Sequence, residues 1–88
     1  HRDLPLERSS AALDLYKRQM QDKAIEVLTL NTKRFPKSAN TWDSLGEAFF
    51  MKGDKKNAII NFKKSISLNP PENVKLNSEK FLKQMNAL

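Results

Sequence analysis

The chain has 88 residues, 39% of them hydrophobic and 30% charged, and 16 Lys and Arg against 10 Asp and Glu leave it at +6. That is the make-up of one small soluble domain, or a part of a larger protein, with a modest core. Without cysteine it has no disulfide, thiolate metal site or Cys nucleophile, and no apolar run approaches the roughly 18 residues that cross a bilayer.

Residues 1–4 read as a tail, and the single histidine, His1, lies at its end and takes no role. Helical spacing then predicts two helices, at 6–18 and 21–34, joined by a turn at Gln19-Met20-Gln21-Asp22. Leu4, Leu6, Leu13 and Leu15 lie at this end without an evident cover, so the first hairpin is expected to self-associate or to pack against a preceding domain. Ser38 stands where a cap would open the next helix. That helix carries a stripe of Trp42, Leu45, Ala48 and Phe49 and ends at Gly53, which suits a left-handed turn. Asp54 caps a further helix with a stripe of Ala58, Ile59, Phe62, Ser65 and Ile66, and Asn69-Pro70 stops it. After Pro70-Pro71 a last helix sets Val74, Phe81, Leu82 and Met85 on one side and Lys75, Glu79, Lys80 and Lys83 on the other.

The two hairpins repeat at a period of 34. Ala12 matches Gly46, Leu15 matches Phe49, Ala24-Ile25 matches Ala58-Ile59, Leu28 matches Phe62, and Pro36 matches Pro70. Small residues are expected where the helices of a unit cross, with Gly46 and Ala58 at the closest approach, and bulky ones around them. The domain reading is a unit at 5–38, a second at 39–72 and a closing helix at 73–88.

Trp42-x2-Leu45-Gly46-x2-Phe49, followed by Ala58, Phe62, Ser65 and Pro70, resembles the signature of the tetratricopeptide-repeat family. The first unit keeps Ala12, Leu15, Ala24, Leu28 and Pro36 and departs from the pattern at Arg8, Ala11 and Asn31. The resemblance implies an all-α, right-handed α-solenoid fragment of two helix-turn-helix hairpins and a capping helix, working as a protein-interaction module. The run from Phe35-Pro36 through Gly53-Asp54-Lys55 to Leu68-Asn69-Pro70 also resembles the C-terminal repeat tail of bacterial serine hydrolases of the β-lactamase and esterase type. That implies an alternative role as the structural appendage of such an enzyme, in a bacterial cytoplasm or periplasm.

In such stacks the first helix of each unit lines the concave side. The residues expected there are Leu13 and Tyr16 with Ser9 from the first unit, and Asn40, Asp43, Glu47 and Phe50 from the second. They predict an apolar strip edged by two acids, facing a protein or peptide; Leu13 and Tyr16 are equally explained by packing under Leu4-Pro5-Leu6. Asp43 and Glu47 would repel an acidic peptide tail. No serine has a histidine or lysine placed as a triad partner, and no His or Cys set holds a metal, so neither catalysis nor a cofactor is expected. The basic residues are scattered rather than gathered on one face, which favours a solvated surface over nucleic-acid or membrane-surface binding.

Overall fold

The computed structural model describes the backbone from residue 6 to residue 88 and the side chains from residue 11 onward. Expectations for His1, for the 1–4 tail, for the side chains of Leu6, Arg8 and Ser9, and for the cover by Leu4-Pro5-Leu6 lie outside the described residues. The described chain is all-α, with α1 at Leu6–Arg34, α2 at Ala39–Lys52, α3 at Lys55–Ser67 and α4 at Glu72–Gln84. No strand occurs among the described residues. The arrangement is compatible with helical-repeat hairpins closed by a C-terminal helix: α2 and α3 pair most extensively, α4 lies on both, and α1 lies on α2.

The first unit departs from the expected pair of helices at 6–18 and 21–34, because α1 runs without a break for 29 residues. The cause is local. Helix α2 ends at Gly53, whose φ of 91° is left-handed, with the amides of Gly53 and Asp54 donating back to the carbonyls of Phe50 and Phe49. Thirty-four residues earlier the chain has Gln19-Met20 instead of Gly53-Asp54. Neither residue takes a positive φ at low cost and both favour helix, so nothing stops α1 before Pro36.

Within the second unit each expected stripe faces inward. Leu45, Ala58 and Phe62 are buried, as are Val74, Phe81, Leu82 and Met85 of α4. The ring of Phe62 fills the space that a side chain at Gly46 would need: a Cβ built on Gly46 would lie 2.9 Å from two carbons of that ring. Phe62 in turn stacks on Phe81, with ring centroids 5.0 Å apart and planes 5° from parallel. Ser65, fully buried, donates its hydroxyl to the carbonyl of Ala39 at 2.9 Å and so ties the end of α3 to the start of α2. Trp42 donates its indole N–H to the Pro36 carbonyl at 2.9 Å and holds the α1–α2 connection down.

The caps divide differently from expectation. Ser38 occupies the N-cap of α2 but its side chain makes no capping bond. Thr41 instead donates its hydroxyl to the Ser38 carbonyl at 2.8 Å. Asp54 does cap α3, accepting from the Asn57 amide at 3.2 Å and from the Asn57 side chain at 2.8 Å. Those two bonds favour the ionised form and hold the Asp54 carboxyl below its ordinary value of 3.8. Because the folded-state value is the lower one, the cap stabilises α3 at neutral pH and loses that contribution as pH falls through it.

Two measurements check this packing. Gly46→Leu should overpack the Phe62 contact and cost about 1–3 kcal/mol in a urea or thermal unfolding curve. An NMR titration should find the Asp54 carboxyl ionising below 3.8, and should find it moved only part of the way back once Asn57 is replaced by Ala, because the backbone amide at 57 still donates.

Candidate binding face

The face of α2 expected to meet a ligand is occupied by the chain's own α4. Asp43 is only 5% exposed. Its carboxylate accepts from the Asn77 side-chain amide at 2.9 and 3.1 Å and from the Ser78 hydroxyl at 2.6 Å. Glu47 accepts from the same Asn77 amide at 2.6 Å. One turn further on, Phe50 is half-buried and meets Phe81 edge to face, centroids 4.9 Å apart and planes 62° apart. A carboxylate left under a packed helix would be costly, so its donors are what allow Asp43 to sit there. Ser78 is fully buried and spends its hydroxyl on this contact.

The donors lie 34 and 35 residues after Asp43, at the separation of one repeat. Helix α4 therefore occupies the place of the first helix of a third unit. The positions in α4 equivalent to Trp42, Leu45, Gly46 and Phe49 are Leu76, Glu79, Lys80 and Lys83. Three of these four positions are charged, and the fourth, Leu76, is exposed.

Leu13 and Tyr16 are not part of that cluster. They are 68% and 62% exposed. Contact between α1 and α2 begins near Gln21, which donates to the Met51 carbonyl at 3.3 Å, and Asp22, which pairs with Lys52. Since Met51 and Lys52 end α2, the part of α1 before Gln21 runs on past it. Asn40, exposed at the start of α2, lines a shallow groove of about 490 Å³ with Lys37, Asn69, Pro71 and Val74. The six expected face residues whose side chains are described are thus divided among three places: under α4, at the loop end of α2, and on the free half of α1.

Sequence reasoning missed the open surface on α1 itself. In the second unit Ala58, Asn61, Phe62 and Ser65 are all buried. Their equivalents 34 residues earlier are Ala24, Val27, Leu28 and Asn31. Ala24 is exposed, Val27 is 60% exposed, and Leu28 and Asn31 are half-covered, because the helix that would lie on them continues straight ahead instead. Ala12 and Leu15, signature positions of the first half, are exposed for the same reason. The signal was available as Gln19-Met20 in place of Gly53-Asp54. A groove of about 510 Å³ lies on the opposite side of α1, lined by Asp22, Ile25, Glu26, Thr29, Leu30 and Lys33.

Among the described residues no cluster of His, Cys, Asp and Glu could hold a metal ion, and no helix is long and apolar enough to cross a membrane. The chain is similar to cellulose synthase operon protein C of Escherichia coli strain K12 and to the putative cellulose synthase operon protein C of Escherichia coli O157:H7. Each is 38% identical over 51 residues, which cover 58% of this chain and 4% of the relative's own length. No family model and no solved structure matches. These relatives lend no support to the resemblance to serine-hydrolase tails.

The seat of α4 can be tested directly. Asp43→Ala should leave the buried Ser78 hydroxyl without its acceptor and Asn77 with Glu47 alone, and cost about 1–3 kcal/mol in urea unfolding. Glu47→Ala, with a single bond to Asn77 and more solvent, should cost less than Asp43→Ala in the same measurement.

Proposed function

We propose that this chain is a non-catalytic helical-repeat module of the tetratricopeptide kind, acting as a protein-interaction or domain-packing part of a longer protein. The observation that carries the reading is the contrast between equivalent positions of the two units. Ala58, Asn61, Phe62 and Ser65 are covered by helices of the chain itself, while Ala24, Val27, Leu28 and Asn31 lie open or half-open. A repeat stack buries its apolar faces only by adding helices, and α2 already takes one on each flank, α1 and α4. The seat left empty is on α1, and it fits a helix with an apolar stripe. The match to a stretch amounting to 4% of a much longer relative agrees with a part of this kind. The polar groups that come together, Asp43, Glu47, Asn77 and Ser78, spend their hydrogen bonds on one another and hold α4 in place.

The inner face of α2 belongs to the same reading in a different way. A ligand contacting Asp43, Glu47 and Phe50 must displace α4, whereas Leu13, Tyr16 and Asn40 are accessible as they stand. Partner binding should therefore depend on α1 more than on Asp43 or Glu47.

Peptides selected from a displayed random library on the immobilised chain should be amphipathic and helical when bound. Isothermal titration should show them losing at least tenfold in affinity, about 1.4 kcal/mol, on Val27→Glu. Failure to select any peptide, together with tight salt-sensitive binding of heparin as a polyanion probe, would replace this reading with a charge-driven one.

A further inference from the structure

The straight course of α1 creates a surface that a hairpin would not have. Leu13, Met20 and Val27 are seven residues apart, and so are Tyr16, Lys23 and Leu30, three residues behind them. Apolar residues alternating at three and four along one continuous helix make the seam of a coiled coil. The register holds straight through Gln19–Asp22, where a turn would have put the two halves on different faces. Leu13, Tyr16, Met20, Val27 and Leu30 are all between 51% and 68% exposed. The residues that α1 turns toward α2, Gln21, Ile25, Leu28 and Thr32, lie about a third of a turn away around the helix. The seam is therefore free of the chain's own body along its whole length.

We propose that this seam pairs with the same seam of a second copy, the two α1 helices running antiparallel. This rests on the reading of α1 as the interaction helix and names its occupant. Charge selects the direction. In a parallel pair Lys23 would face Lys23 at the centre of the seam, and the two bodies formed by α2–α4 would lie side by side at the same end. In the antiparallel pair Leu13 faces Leu30 of the other copy, Tyr16 faces Val27, and Met20 packs on the aliphatic stem of Lys23. Each layer forms twice about the two-fold axis, and the two cationic bodies go to opposite ends. Net charge on each chain is +6, so this separation matters. The seam from Leu13 to Leu30 is about 26 Å long. Two helices in contact over that length bury on the order of 1,000 Å², the lower end for a specific complex, so the dimer should be reversible.

The test uses the 88-residue chain. Sedimentation equilibrium should show monomer passing to dimer as concentration rises through about 10–100 μM, the range expected of an interface this small. Val27→Glu should weaken that association at least tenfold with its helical circular dichroism unchanged, since Val27 is 60% exposed in the single chain. The chain has no native cysteine, so orientation can be read by disulfide trapping. A mixture of Leu13→Cys and Leu30→Cys chains in a glutathione redox buffer should give the mixed disulfide dimer in preference to either homodimer. A chain that remains monomeric at several hundred micromolar, a dimer indifferent to Val27→Glu, or a preferred Leu13→Cys homodimer would each overturn the proposal. A monomer that still binds the selected peptides would remove self-pairing while leaving the interaction reading intact.

Discussion

The structure depends on the ring of Phe62 lying against a backbone that has no side chain at Gly46. That contact lets α2 and α3 approach closely enough for Phe62 to be fully buried. It also sets where Phe62 presents its other side, on which Phe81 of α4 stacks. Phe50, back on α2, then closes the circuit by meeting Phe81 edge-on. Three helices are thereby fixed through one aromatic cluster, in which a shift of Phe62 would be felt at α4. A close-packed interior transmits such a displacement rather than absorbing it, because it has few voids to take it up.

The first unit shows what happens when the same plan has weaker parts. Ala12 stands for Gly46 and Leu28 for Phe62, so a crossing there would come less close and bury less apolar surface. Gln19-Met20 stands for Gly53-Asp54, which removes both the left-handed stop and the following cap. Continuing the helix adds a hydrogen bond per residue, whereas restarting it after a turn requires a new nucleus. With no local stop and a poorer crossing, continuation wins. A straight α1 carries one continuous seam, apolar except at Lys23, in place of two inward-facing stripes.

At the other end the polar groups decide. Asp43 and Glu47, one turn apart, have the sequence appearance of a solvated acidic face. Asn77 and Ser78 convert them into the acceptors that seat α4. The contact of α2 with α4 is thus held by hydrogen bonds, while α1 exposes Leu13, Val27 and Leu30. That contrast underlies the proposal of a partner on α1.

The sequence by itself determined the all-α class, the α2–α3 hairpin, its stripes, the left-handed Gly53, the Asp54 cap and the inward face of α4. Each of these rests on spacing and on local backbone chemistry, which neighbouring residues are enough to fix. The first turn was misread because the 34-residue period suggested a hairpin that Gln19-Met20 could not turn, and periodicity alone does not weigh a repeat against helix propensity. The expected face of Leu13, Tyr16, Asn40, Asp43, Glu47 and Phe50 was dispersed by tertiary structure. Which side of α2 takes α4 depends on pairs 34 and 35 residues apart, Asp43 with Asn77 and Ser78. Such partners are set by how helices dock, and docking is governed by the shape of the Gly46–Phe62–Phe81 contact, which no single segment contains.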